Sequence, residues 1–333
     1  MDVTVVVPAF NSSLYIAQTL ESVLNQTVKP VEVLVVDDGS TDDTAEIAER
    51  FGHSVRVIRT ANMKQAASRN FGVQAAVGDW IAFVDADDLW EPNKLELQIA
   101  ELSRHPDADV CYTSRRVLIQ DETGSRLQEV IPAAPPETIR QALFENTNFL
   151  PSSVLIRRST FLGIGGFDPH FVFVQDWDLW LRLLHSGARF AACLEPLMQY
   201  RVHDRSVTMN NARAAFYLKD EIYRRHVLPY LPKFTAWFSY QRCRSGHESC
   251  AAYLLRKAND RSCIPFMAAS IFRNPLREPK RYLVLAHALY MLATKGMVLP
   301  QPSPTTFPFA SPENKRAHAR HPDAAYDLLE TTA

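Results

Sequence analysis

Two clusters of carboxylates stand where short apolar runs end. Asp37 and Asp38 follow Val31–Val36, and Asp85, Asp87 and Asp88 follow Trp80–Val84. Acids crowded together repel one another unless a positive charge lies between them, so a divalent cation with a phosphate ligand suits this arrangement. Oxygen-only ligation by one or two carboxylates, completed by phosphate and water, is the chemistry of Mg2+ and Mn2+. Asp85 and Asp87, one residue apart, point the same way if the chain stays extended. The same acids also suit a plainer role, capping the next helix and favouring its dipole.

The elements that lead to these acids alternate between strand and helix. Val3–Val7 is a β-branched, near-continuously apolar run ended by Pro8, as expected of a strand covered on both faces. Leu14–Leu24 has helical apolar spacing, Val31–Val36 is a second strand, and Asp37–Asp43 starts a helix carrying Ile47 and Phe51. Val55–Arg59, a helix over Gln65–Ala76, the strand Trp80–Val84, and a helix opened by Pro92 continue the pattern. Such alternation implies a parallel sheet with right-handed crossovers, in which ligands bind beyond the carboxyl ends of the strands.

Past Asp107 the pattern loosens. Strands are expected over Val110–Thr113, Arg116–Gln120 and Ser152–Arg157, with Pro132–Pro136 a linker or loop and Gly163–Asp168 a turn cluster. Asp176–Ser186 is a helix with Trp177, Trp180, Leu181 and Leu184 on one face, stopped by Gly187. From about Asn210 the chain reads as helical, with breaks at Pro229, Pro232, Pro265, Pro275 and Pro279. From Gln301 it reads as a disordered tail. The expected organisation is a domain over 1–208, a helical region over 209–300 and the tail over 301–333.

A net charge of −1 with 47% hydrophobic residues describes a globular protein and gives no reason to expect a nucleic-acid partner. Met1–Val5 runs straight into a strand without the marks of a signal peptide. The five cysteines are scattered and odd in number, which fits a reducing cytoplasm better than a disulfide framework. Tyr282–Leu299 is barely long enough to span a bilayer and carries His287 and Lys295, so it reads as non-spanning.

Four segments, in order and at these spacings, resemble the consecutive motifs of family 2 glycosyltransferases. They are Val6-Val7-Pro8-Ala9-Phe10-Asn11, Val35-Val36-Asp37-Asp38-Gly39-Ser40-Thr41-Asp42, Arg69-Asn70-Phe71-Gly72 and Phe83-Val84-Asp85-Ala86-Asp87-Asp88. The resemblance covers about the first 205 residues. It implies a GT-A fold, a Rossmann-like α/β domain with a mainly parallel mixed sheet, here followed by a helical C-terminal appendage. It also implies transfer from a nucleoside-diphosphate sugar, UDP by default, to a hydroxyl acceptor (a glycan, a lipid-linked sugar or another hydroxyl) with inversion at the anomeric carbon. Bacterial-type surface polysaccharide or glycoconjugate synthesis is the expected setting.

By motif position the resemblance assigns Pro8, Ala9, Asn11 and Asp38 to the nucleoside pocket and Arg69 to the nucleotide, where a guanidinium can meet phosphate or stack. Asp85-Ala86-Asp87 resembles the DXD element, with Asp85 toward the nucleotide, Asp87 the direct metal ligand and Asp88 structural. Gln175-Asp176-Trp177-Asp178 resembles the acidic base motif, with glutamine where the family commonly has glutamate. Asp176 would be the general base; Asp178 competes for that role or serves the helix dipole. Gly165-Gly166-Phe167-Asp168 and Tyr200-Arg201-Val202-His203 also match, the latter after the last core strand. His203 is either a metal or diphosphate ligand or a structural residue. Lys64 stands where the family usually has a nearby glycine, and serves either phosphate contact or a solvated helix start.

Cys243, His247 and Cys250 share a helical face without the paired spacing of a zinc site. Arg273, Arg277, Lys280 and Arg281 precede an apolar stretch, so 273–299 suits either contact with the inner face of an anionic membrane or packing on the catalytic domain. Three other classes are compatible with acids at strand ends. A nucleotidyltransferase needs a glycine-rich basic loop where Pro8-Ala9-Phe10-Asn11 stands. A phospho-receiver module leaves Gln175–Asp178 unexplained, and the third class is an inactive nucleotide-sugar-binding protein that keeps the fold.

Overall fold

The computed structural model describes residues 1–295 except 122–123, 146–148, 204–210, 258–259, 261 and 275–279. The expected tail and the boundary at 208 lie outside these residues. Strand β1 (Val3–Ala9) is buried along its whole length between two parallel neighbours, which is why it is apolar except at Thr4, whose hydroxyl donates to Glu32 (2.9 Å). On one side it pairs with β2 (Glu32–Asp37), which pairs with β3 (Arg56–Arg59); on the other it pairs with β4 (Trp80–Phe83). The chain thus runs outward from β1 to β3 and returns to the far side of β1. That reversal makes a topological switch point at the carboxyl ends of β1, β2 and β4.

Beyond β4 the sheet becomes mixed. It continues through β8 (Leu155–Arg157), β6 (Val110–Asp121), β9 (Phe190–Val202) and β5 (Leu89–Trp90), while β7 (Gly124–Ile131) pairs with the distal part of β6. The two strands expected over 110–120 are one strand, because parallel pairing with β9 continues across register shifts at Thr113–Arg115. Only the end of the segment Ser152–Arg157 is strand; Pro151–Ser153 is a 3-10 turn. Tyr200, Arg201 and Val202 lie on β9 itself, so their motif ends the last strand rather than following it.

Helices α1 (Ile16–Leu24), α2 (Thr44–Glu49), α3 (Gln65–Ala75), α4 (Lys94–Arg104), α5 (Ile139–Glu145), α6 (Arg158–Gly163) and α7 (Gln175–Ser186) pack around the sheet, with one apolar core on each side. Gly72 lets α3 touch β1, since a Cβ there would lie 2.4 Å from Val6 Cγ1. The face expected on α7 is too narrow. Asp178, Leu179 and Leu183 are buried as well, Leu184 only in part, and the two indoles donate to Leu143 O (2.7 Å) and Phe149 O (3.2 Å).

Helices α8 (Ala212–His226), α9 (Lys233–Lys257), α10 (Cys263–Arg273) and α11 (Lys280–Lys295) form the C-terminal part, and α8 packs on α7. Pro265 does not break a helix; it sits in the first turn of α10, where its missing N–H is no loss. No helix among the described residues is long and apolar enough to cross a membrane. Two of the four basic residues at 273–281, for which membrane contact and packing were the alternatives, turn inward. Arg273 bonds Glu248 (2.9 and 3.1 Å) and Gln241 (2.7 Å), and fully buried Arg281 bonds Ser270 and Ser245.

Candidate active site

Ala9 ends β1, and its carbonyl accepts from Asp38 N at 2.8 Å. Pro8 lies one residue earlier, paired with Val36 of β2. Asn11 turns the chain with φ +50°, a conformation asparagine tolerates better than most residues. Its backbone N–H donates to Ser40 Oγ (2.9 Å), and its side-chain oxygen accepts from Thr41 N (2.8 Å). Asn11 therefore ties the end of β1 to the loop after β2.

Asp38 is buried. Its carboxylate accepts from Thr60 Oγ1 (3.2 Å), Met63 N (2.7 Å) and Lys64 N (2.8 Å). A carboxylate offers about four acceptor positions, so three are already taken by the 60–64 loop. Asp37 is equally buried, and its Oδ1 has no hydrogen-bond partner among the described residues. Lys64, held by Asp38, adopts φ +75° and ψ 158° at the N-cap of α3, a region nearly reserved for glycine. The departure from the family's glycine is thus a backbone matter first.

The acids after β4 do not stay extended. Asp88 N donates to Asp85 O (3.0 Å), closing a turn that sends the side chains apart. Asp85 forms an ion pair with the buried Arg69 of α3, while Asp87 Oδ2 lies 3.1 Å from His203 Nε2. Asp88 is buried, accepting from Ser152 Oγ (2.6 Å) and Arg201 N (3.1 Å). Burial and the neighbouring Asp87 and Asp85 charges push its carboxyl well above the ordinary range. Thr19 Oγ1 lies 2.9 Å from both Ala86 O and Asp88 O, and Arg201 Nε donates to Asp87 O at 2.7 Å. Ser152, Thr19 and Arg201 thus fix this turn, and neither Ser152 nor Thr19 carries any sequence signal beyond its residue type.

Arg69 links this turn to α7. Its guanidinium lies 5.3 Å from the Phe167 ring centroid, and its Nε has no partner among the described residues. The Gln175 amide lies between Gln65, Arg69 and Phe171; with its oxygen turned to Arg69 it accepts from that guanidinium while its nitrogen donates to Phe171 O (3.1 Å). Asp176 follows at the first turn of α7. Burial raises its carboxyl above the ordinary range, outweighing the Trp177 N–H and the charges of Arg69 and Lys219, which lower it. Asn70, beside Arg69, holds the turn at 165–167 with paired bonds to Phe167 O and N, both 2.8 Å. Gly166 (φ +67°) is needed there, because a Cβ would meet Asn70 Oδ1 at 2.5 Å.

Asp178 is a different kind of acid. It is buried, with Arg182 at 2.7 Å and His226 Nε2 at 2.9 Å, and Arg182 also donates to Ile164 O and Gly166 O. It is a packing hub, which is more than the dipole role expected of it. The candidate residues therefore fall into two groups. Pro8, Ala9, Asn11 and Asp38 shape one side; Arg69, Asp85, Asp87, His203 and Asp176 form the other. Asp38, through Lys64 and its neighbour Gln65, whose amide lies 2.8 Å from that of Gln175, connects them.

A family model for glycosyl transferase family 2 matches residues 4–165. The chain is 29% identical over 243 residues to the amylovoran biosynthesis glycosyltransferase AmsB of Erwinia amylovora, covering 68% of this chain and 81% of that protein. It is 30% identical over 213 residues to the UDP-Glc:alpha-D-GlcNAc-diphosphoundecaprenol beta-1,3-glucosyltransferase WfaP of Escherichia coli, covering 62% and 80%. Among solved structures it resembles the mannosyltransferase PcManGT of Pyrobaculum calidifontis, in complex with GDP-Man and Mn2+. The TM-score is 0.56 at 18% identity, over 88% of this chain and 81% of that one.

The fold is that of GT-A glycosyltransferases, with a helical C-terminal part. The chain belongs to glycosyltransferase family 2, and it is a glycosyltransferase.

Proposed function

We propose that this enzyme transfers a sugar from a UDP-sugar to a hydroxyl acceptor, with inversion, in the synthesis of a surface polysaccharide or glycoconjugate. The observation that carries the reading is the convergence on Arg69, which pairs with Asp85 of the acidic turn and whose charge acts on Asp176 of α7. A donor-side acid and a candidate base thus both feel the charge of one buried guanidinium. The name of WfaP, with its UDP-Glc donor and lipid-diphosphate-linked acceptor, and that of AmsB support the donor and the setting. In this reading residues 1–208 form the catalytic domain, 209–300 an accessory helical region and 301–333 a tail. The reaction belongs in the cytoplasm, where nucleotide sugars are made.

Asp176 accepts the proton of the acceptor hydroxyl as that oxygen bonds to the anomeric carbon. The bond from that carbon to the β-phosphate oxygen breaks, and UDP leaves from the opposite face. One displacement inverts the centre. The acidic turn fits a divalent cation: the Asp87 side chain is 34% exposed and offers the carboxylate oxygen that Mn2+ or Mg2+ takes, while the His203 imidazole beside it is a nitrogen donor that Mn2+ accommodates better than Mg2+. No group of three ligating side chains occurs among the described residues, so Asp87, with His203, would hold the ion jointly with the diphosphate. Such an ion supplies charge neutralisation to the leaving diphosphate. Asn11 and Asp38 shape the nucleoside pocket, with one acceptor position of Asp38 left for the base or ribose.

The test is Asp176→Asn, which keeps shape and removes the base. UDP affinity by calorimetry should stay near wild type, while released UDP from a panel of UDP-sugars, with water as the slow acceptor, should fall by about 10²–10⁴-fold. Unchanged turnover would remove Asp176 from the chemistry, and absence of UDP binding in the wild type would remove the donor assignment.

A further inference from the structure

Helix α9 is built the wrong way round for a helix that meets only water and its own protein. Its later turns bury Ser245, His247, Glu248 and Ser249 beside Ala251 and Ala252. Its first turns present Phe234 (81% exposed), Trp237 (61%) and Phe238 (68%) to the outside. Residues at i, i+3 and i+4 share one side of a helix, so the three rings form a single ridge; Trp237 and Phe238 meet edge-on at 4.9 Å. Tyr230, half exposed, stands just before them.

Along the chain, the charges that flank this ridge have one sign. From Ile222 to His247 the chain has no Asp or Glu and five Lys or Arg. Four of these pair with acids of the chain itself, Arg224, Arg225 and Arg244 closely and Arg242 more loosely with Glu145. Lys233 and Arg242 bracket the rings. Lys233 is exposed and adjoins Phe234, while Arg242, one turn beyond Phe238, has a 72% exposed side chain 3.9 Å from the outward-lying Glu145.

We propose that this face docks on an anionic lipid surface. The rings would sit at the boundary between headgroups and acyl chains, where aromatic side chains are favoured. Lys233 and Arg242 would extend their stems over that boundary and place their charges among lipid phosphates. A second copy of the chain is the poorer occupant, since a two-fold interface opposes each patch to itself and would gather Lys233 and Arg242 of both copies into one interface. Lipid contact then falls at the start of α9 and not at the basic run 273–281, where Arg273 and Arg281 are engaged inside the protein. It does not depend on the donor chemistry, which makes UDP binding an independent control.

The experiment is sedimentation of the full chain with phosphatidylglycerol–phosphatidylcholine vesicles and with phosphatidylcholine vesicles alone. The wild type should partition onto the anionic vesicles, less so as salt rises. The triple variant Phe234→Ser, Trp237→Ser, Phe238→Ser should lose at least about tenfold in partition while keeping its circular dichroism and UDP affinity. Lys233→Glu with Arg242→Glu should remove the preference for phosphatidylglycerol. Iodide should quench Trp237, read as the difference between wild type and Trp237→Phe, and vesicles should protect it. No partition, or partition that the triple variant leaves unchanged, overturns the proposal. So does a wild-type dimer that the triple variant converts to monomer, which assigns the face to a second copy. Resistance of Trp237 to iodide without vesicles overturns it too, because another part of the chain then covers the ridge.

Discussion

Asp178→Asn separates packing from chemistry on α7. The wild-type carboxylate receives Arg182 through Nε (2.8 Å) and Nη2 (2.7 Å) and lies 2.9 Å from His226 Nε2. Removing one partner of a buried ion pair costs about 3–5 kcal/mol. Asparagine keeps the shape and one acceptor, Arg182 keeps the carbonyls of Ile164 and Gly166, and its side chain is 21% exposed, so about 2–3 kcal/mol is expected here. The loss should appear as a lower urea midpoint with an unchanged slope. Its pH dependence has a definite sign. Burial pushes the Asp178 carboxyl up, but His226 and Arg182 overcome this and hold it below its ordinary range. A carboxyl depressed in the folded state contributes fully above its unfolded pKa, about 3.9, and loses that contribution as pH falls through the lower folded value. The variant and wild type should therefore differ at neutral pH and converge in strong acid. A variant within about 0.5 kcal/mol of wild type at pH 7 would refute the hub reasoning. A stable variant without turnover would move the base from Asp176 to Asp178.

Other perturbations test other parts of the site. Asp87→Ala should abolish the Mn2+ dependence of UDP binding in calorimetry; an unchanged dependence would place the cation elsewhere. The acid limb of turnover should lie above the ordinary carboxylate range because burial raises Asp176, and Lys219→Met should move it higher by removing a charge that lowers it; a limb that stays put speaks against Asp176 as the titrating group. Lys64→Gly should raise stability by up to about 2 kcal/mol, the relieved strain of about 1–3 kcal/mol less the cost of glycine, and Lys64→Ala should not; equal effects would mean that φ +75° stores no strain. Lys94 is buried, bonded to Gln98 Oε1 (2.7 Å), with its amine pushed down to about 7. The unfolded lysine holds a proton that the folded one releases, so stability should rise with pH from about 7 to 10, and Lys94→Met should remove that slope in denaturation curves.

The sequence alone determined the αβ framework of the first hundred residues, the strand ends that carry the acids, and the family. Buried parallel strands announce themselves as continuous apolar runs, and the turn cluster at Gly163–Asp168 contains Gly166, at a close approach that the structure shows. Helical spacing likewise marked α7 and the C-terminal helices, because a 3.6-residue period is a local property. What the residues do for one another was decided only in three dimensions. Asp85 and Asp87 part because a turn closes between Asp85 O and Asp88 N, which no spacing rule foretells. Arg69 meets Asp85 across 16 positions, Asp87 meets His203 across 116, and Asp178 meets His226 from another helix. The exposed ridge on α9 belongs to the same category: Phe234, Trp237 and Phe238 look like core residues in sequence. Helical phase says which residues share a face, and only the packing of neighbouring elements determines which face meets protein.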